Sequence, residues 1–178
     1  MDEDNFQKRI GKGMTILGWL ILLGLLTYYF SGFLERQNNP NQSLTLNQTE
    51  EYKEVQLQQN RFGHYVATGM INNKPVVFIL DTGATDISIP ENVSRRLNLQ
   101  TGVKVPVQTA NGVINVYTTS LERVNLGGIE LYNVSANINP FMQGDEVLLG
   151  MSFLRHLDFS QKGEQLLILT YKLRFSKG

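Results

Sequence analysis

The residues best suited to chemistry lie in one stretch, Phe78-Ile79-Leu80-Asp81-Thr82-Gly83-Ala84-Thr85-Asp86-Ile87-Ser88-Ile89-Pro90. Strand-forming apolar residues deliver one carboxylate, Asp81, into a glycine-containing turn; hydroxyl-bearing residues follow, and an apolar strand resumes. An acid at the end of a buried strand is costly unless hydrogen bonds satisfy it or a function uses it. Other chemistries have little to work with. Cysteine is absent from the 178 residues, which excludes disulfides, thiolate nucleophiles and zinc–thiolate sites. His64 and His156 stand far apart with no ligand-spaced partner and read as exposed or core-edge side chains. No cofactor and no metal site is expected. A formal net charge of zero gives no electrostatic case for nucleic-acid binding.

The segments ahead of this stretch differ from it in character. Residues 1–12 are polar, with Lys8, Arg9 and Lys12 just before an apolar block. No charged residue occurs from Gly13 to Leu34, a length of about 22 residues that suffices to cross a hydrocarbon core of about 30 Å. Tyr28, Tyr29 and Phe30 fall where an interfacial aromatic belt is expected. A cleaved signal peptide has a shorter apolar region, about 7–15 residues, and a small-x-small site after it. Residues 13–34 therefore read as a transmembrane signal anchor in contact with the lipid bilayer. Three basic residues precede the span and only Arg36 closely follows it, so the positive-inside tendency puts the N-terminal tail in the cytoplasm and the rest across the membrane. Residues 35–58, rich in Asn, Gln, Glu and Ser, read as a flexible polar linker.

From residue 59 to 178 the pattern becomes short alternating runs broken by turn signals, the mark of an all-β domain. His64–Ile71 and Pro75–Leu80 are strands around Asn72-Asn73-Lys74, the second apolar on both faces and so central. Ser88 and Glu91 have capping-box spacing with Pro90 between them, which predicts a short helix to about Leu97 with Val93 and Leu97 inward. Val103, Val105 and Val107 alternate with polar residues up to Asn111-Gly112, the strongest local hairpin signal. A second hairpin turns at Gly127-Gly128, a strand covers Asn133–Ile138, and Pro140–Glu146 is a loop. Val147-Leu148-Leu149-Gly150 is an apolar run stopped by glycine and continued by a short helical pattern; Gln165–Tyr171 closes as a strand.

Taken together, Asp81-Thr82-Gly83-Ala84, the hairpin tip Thr109-Ala110-Asn111-Gly112 and Leu148-Leu149-Gly150-Met151-Ser152-Phe153-Leu154 resemble the retropepsin-like aspartic proteases. More narrowly, the chain is similar to their membrane-anchored, single-domain bacterial members. The resemblance covers about residues 61–178 and implies a retropepsin-like barrel with one or two short helices, acting on protein or peptide substrates. Two carboxylates sharing one proton supply both the base for water and the acid for the carbonyl, because like charges about 3 Å apart do not both ionise. The resemblance further implies that Thr82 ties two active-site loops together and that the Gly83 amide holds the carboxylate. It places Asp86, Ala110, Asn111 and Gly112 at a substrate cleft or flap, and gives Leu148, Leu149 and Gly150 a structural role behind the loop. Only one Asp-Thr-Gly is present, so an active enzyme needs Asp81 of a second copy across a two-fold axis. The implied location is a bacterial inner membrane, crossed once, with the protease domain in the periplasm.

The same residues have plainer readings. Asp86 could be a solvated loop acid, Asn111-Gly112 simply a tight turn, and Asp145, Glu146 and Asp158 surface charges. Retroviral enzymes follow the apolar-apolar-Gly element with an arginine and a small polar residue; here Met151-Ser152 stand there and Arg155 is at the wrong offset, so the bracing must differ. The alternative function is a catalytically inactive peptide-binding or assembly module of the same fold. An aspartyl-phosphate enzyme would need a further acidic cluster and a lysine, which do not adjoin Asp81.

Overall fold

The computed structural model describes residues 3–109 and 112–171, with side chains from residue 12 onward. The chain forms two units, Met1–Gln37 and Asn38–Gly178. The first is most of α1 (Glu3–Asn38), one unbroken helix that from Lys12 to Asn38 is long and apolar enough to cross a membrane. Its large side chains, Leu17, Trp19 and Tyr28 among them, are exposed, and a helix apolar all round is stable only in apolar surroundings. Thr27 and Ser31 each donate to the carbonyl four residues back, Leu23 O and Thr27 O, both at 2.8 Å. Neither hydroxyl is left to penalise burial in hydrocarbon.

The second unit runs β1 (Leu46–Gln48), β2 (Tyr52–Gln58), β3 (Val66–Ile71), β4 (Lys74–Leu80), β5 (Ile87–Pro90), α2 (Glu91–Leu97), β6 (Lys104–Thr109), β7 (Gly112–Leu126), β8 (Ile129–Asn139), β9 (Glu146–Leu149), α3 (Met151–Leu154), β10 (Asp158–Lys162) and β11 (Gln165–Tyr171). A seven-stranded sheet is ordered β3-β4-β9-β5-β8-β7-β6 and closes on itself where β3 pairs with β7. The all-β expectation holds. β7 is long enough to serve three partners: β6 near its start, β8 beyond it, and β3 at Val124 and Asn125. Phe78, Ile87, Ile89, Leu121, Leu149 and Phe153 are fully buried inside the barrel, each stabilising by about 1.5–3 kcal/mol relative to exposure.

Two pairings are parallel, β4 with β9 and β5 with β8. Since β9 lies between β4 and β5 in the sheet, the segment joining those two strands must cross the end of β9. That segment is residues 81–86.

The stretch expected as a flexible linker is ordered. Tyr52-Lys53-Glu54-Val55-Gln56-Leu57-Gln58 alternates, and β2 buries Val55 and Leu57 completely while pairing along its length with β11. Glu54, Gln56 and Gln58 lie on the other face, which is why composition alone gave the wrong reading. Ahead of it, Asn41 ties two segments: its Nδ2 donates to Gln58 O at 2.8 Å and Val66 O at 2.7 Å, and its Oδ1 accepts from Gln58 N at 2.8 Å. Asn39 adds a bond from its Nδ2 to Thr68 Oγ1 at 2.9 Å. The resulting second sheet, β1-β2-β11-β10, comes entirely from one chain.

Three local expectations change. Ser88 does not cap α2: it lies buried in β5 and donates to Asn137 Oδ1 at 2.9 Å, and Pro90 is the N-cap with no side-chain bond. β6 and β7 pair Thr109 with Gly112, so Gly112 belongs to the strand rather than the turn; Ala110 and Asn111 lie outside the described residues. Ile129–Leu131 and Asn133–Ile138 are one strand, β8.

At the β7–β8 hairpin, half-buried Glu130 accepts from Asn125 Nδ2 at 2.8 Å and Tyr132 OH at 2.9 Å, with Arg123 Nη1 at 3.5 Å. These hydrogen bonds first, and then the charges of Arg123 and Lys53, hold its carboxyl below the usual range against partial burial. A depressed folded-state pKa gives stability that is present above the unfolded value and lost as pH falls through the folded one. Glu130→Gln is therefore expected to flatten the loss of stability below about pH 4.5, read as urea midpoints from neutral pH downward. Asn41→Ala, which strands two carbonyls and one amide, is expected to cost about 2–4 kcal/mol, read as a lower denaturant midpoint at unchanged slope.

Candidate active site

β4 ends at Leu80 and hands the chain to Asp81, whose amide donates to Leu149 O at 3.1 Å. The turn then folds back: the Gly83 amide donates to Asp81 Oδ1 at 2.8 Å and the Ala84 amide to Asp81 O at 3.3 Å. A carboxylate oxygen held by a backbone amide two residues on is fixed in direction. Asp81 is half-buried, and Thr82 and Gly83 are exposed. The carboxylate is at a surface, not sealed in the core.

The loop is pinned from below by the end of β9. Met151 N donates to Ala84 O and Ser152 N to Thr85 O, both at 2.8 Å. A Cβ on Gly150 would collide with Asp86 O and lie 2.7 Å from Ala84 O, so only glycine lets the two segments pass. Leu149 is buried against the core, and Leu148 pairs with Ile79 of β4 and Ser88 of β5.

Ser152, one residue past Met151, braces the loop. Its hydroxyl donates to Ser135 O at 2.9 Å and accepts from Ile87 N at 3.1 Å, linking α3, β8 and the far end of the loop. The sequence did not single out this hydroxyl as a brace. Arg155 is exposed and lies outside this network.

Asp81 and Thr82 line a cleft of about 450 Å³ together with Tyr65, Leu154, Phe159 and Ile168. Tyr65 carries a buried hydroxyl without a protein partner. Neither Tyr65 nor Phe159 has a signal in the sequence, since both reach the cleft through tertiary structure. Asp86 is half-buried and, among the described residues, neither it nor the β6–β7 hairpin lines this cleft. His64 and His156 are exposed.

A closed barrel in which an Asp-Thr-Gly loop arches over an apolar-apolar-Gly strand end defines a retropepsin-like aspartic protease fold. A family model described as "gag-polyprotein putative aspartyl protease" matches residues 67–156, and the chain belongs to that family. It is 30% identical over 166 residues to an uncharacterised Sinorhizobium protein encoded 5′ of cobV, covering 86% of this chain and 71% of that one. An uncharacterised protein of Rickettsia prowazekii (strain Madrid E) is 28% identical over 124 residues, covering 68% of this chain; the match spans 53% of that relative's length. The crystal structure of a retropepsin-like aspartic protease from Rickettsia conorii superposes with a TM-score of 0.55 at 23% identity, covering 72% of this chain and 96% of that one, a likeness of fold.

Because Gly150 is fitted against backbone rather than movable side chains, Gly150→Ala is expected to shift the 81–86 loop and cost about 1–3 kcal/mol. Thermal unfolding measures this, and wild-type stability in that variant would mean the crossing has slack.

Proposed function

We propose that the chain is a membrane-anchored aspartic endopeptidase that works as a homodimer, hydrolysing peptide bonds with a water activated between Asp81 and Asp81 of a second copy. The observation that carries this reading is the Asp81 carboxylate, oriented by the Gly83 amide at an exposed cleft, in a chain with only one Asp-Thr-Gly.

The chemistry follows from the shared proton. The ionised carboxylate takes a proton from the water as its oxygen attacks the scissile carbonyl carbon. The protonated partner gives its proton to the carbonyl oxygen, forming a neutral tetrahedral diol. Collapse breaks the C–N bond as the carboxyl protonates the departing amine and a diol hydroxyl gives its proton to the other carboxylate, so the pair returns to one proton between two groups. Thr82, beside each carboxylate, is assigned to tying the two loops, and the β6–β7 hairpin, with Gly112 at its base, to covering bound peptide with Ala110 and Asn111; Asp86 is assigned to the cleft rim.

Residues 13–34 of α1 are assigned to a single crossing of a bacterial inner membrane, with residues 1–12 in the cytoplasm and the protease domain in the periplasm. Lys8, Arg9 and Lys12 against Arg36 support that direction. Confinement to one membrane raises the effective concentration of copies for one another.

Asp81→Asn is expected to abolish cleavage of a peptide library by at least about a thousandfold, with fold and dimer retained, and wild-type activity should peak below neutral pH as a shared-proton pair requires. Retained cleavage in Asp81→Asn would place the dyad elsewhere. No cleavage by a dimeric wild-type chain from acidic to neutral pH would leave the binding-module reading.

A further inference from the structure

A second groove lies apart from Asp81 and shares no lining residue with its cleft. It follows β8 from Glu130 to Ser135 and encloses about 540 Å³. Uneven pairing leaves it open. On one side β7 pairs with β8 along almost its whole length. On the other, β5 reaches only Ala136 to Asn139. Among the described residues, the edge of residues 129–135 on that side has no strand beside it. Lys53 of β2 stands at one end, where its Nζ donates to Gly128 O at 3.2 Å. α3 closes the other end, where Ser152 donates to Ser135 O, and Arg155 and His156 follow it into the groove lining.

The open edge is blunted by its own backbone. Asn133 has φ 52°, a left-handed conformation that asparagine adopts more readily than most residues. Glu122 opposite it drops out of the ladder, between Leu121↔Val134 and Arg123↔Tyr132. An added strand would lose its register there, which guards against indiscriminate pairing. A segment lying in this groove is therefore selected by its side chains.

Those side chains meet positive charge. Arg155 Nε donates to His156 Nε2 at 3.4 Å, and Lys53 to a carbonyl, so neither bond brings a negative charge. Among the described residues neither cation is in a salt bridge. The one acid lining the groove, Glu130, is served by Asn125, Tyr132 and Arg123, and Lys53 acts on it only through its charge. Glu130 and Ser135 are about 17 Å apart along an extended strand, with Tyr132, 62% exposed, between them.

We propose that this groove docks an acidic, extended peptide segment of about five or six residues, laid along β8 with carboxylates at Lys53 and at Arg155. On a substrate, such a segment would lie outside the cleaved bond and hold the peptide by a second site. That use rests on the peptidase reading given above, whereas the binding does not.

In the full-length chain in detergent micelles, a fluorescein-labelled hexaglutamate peptide is expected to bind, read by anisotropy, and a hexalysine peptide is not. Arg155→Gln and Lys53→Gln are each expected to weaken binding about fivefold, and Arg95→Gln, on α2, less than twofold. Arg155 and Arg95 are both exposed, so these two variants keep the fold. No binding by the wild-type chain, equal loss in Arg95→Gln, or equally tight binding of inorganic polyphosphate would overturn the site. For a peptide that the chain cleaves, a hexaglutamate tail is expected to lower KM about fivefold at unchanged kcat. Arg155→Gln should remove that gain and leave the untailed peptide unaffected; a gain that survives it would overturn the docking role. A chain that binds hexaglutamate here but cleaves nothing keeps the groove and loses the peptidase reading, and cleavage without groove binding does the reverse.

Discussion

The geometry of this protein depends on a crossing: β4 and β5 are joined directly through residues 81–86, yet β9 lies between them in the sheet. The connecting loop has to pass over the end of β9 at backbone distance, which excludes a Cβ at Gly150. In passing, it exchanges hydrogen bonds with Leu149, Met151 and Ser152. Those bonds fix where Asp81 emerges, and the Gly83 amide fixes where its carboxylate points. The barrel core, the short α3 and the parallel pairings all serve to hold the two sides of the crossing together.

Ser152 braces the loop with a neutral hydroxyl. Its one hydroxyl joins Ile87 N and Ser135 O, each such bond worth about 0.5–1.5 kcal/mol. A neutral hydroxyl carries less desolvation cost than a buried guanidinium, but it reaches only its immediate neighbours.

The sequence made the barrel legible wherever local pattern and tertiary role agree. The strand into Asp81, α2 through Leu97, the Gly127-Gly128 hairpin and the closing strand 165–171 all follow from alternation, turn residues and apolar runs. It failed where one side chain's partner is far away in the chain. Ser88 and Glu91 have capping-box spacing, but Asn137 claims the Ser88 hydroxyl. Val55 and Leu57 are too few to lift an Asn- and Gln-rich stretch out of a linker composition, and β10 has no apolar alternation at all; both strands exist because β11 pairs with them. Asn41 is indistinguishable by sequence from the asparagines around it. Of the site, Asp81, Thr82, Gly83 and Gly150 could be read from a short motif, whereas Tyr65, Phe159 and the brace at Ser152 required the fold.

The crossing also orders events in time. Asp81 cannot take its place until Leu149 has been synthesised and threaded between β4 and β5, and parallel, non-local pairings of this kind close slowly. During synthesis the N-terminal half holds β3 and β4 as a hairpin with its catalytic-motif residues unpinned. The loop that carries Asp81 is thus unpinned until β9 arrives, and β2 must wait longer still, for β11. A premature stop or a nick after β8 would leave a chain with the Asp-Thr-Gly motif and no means of aiming it.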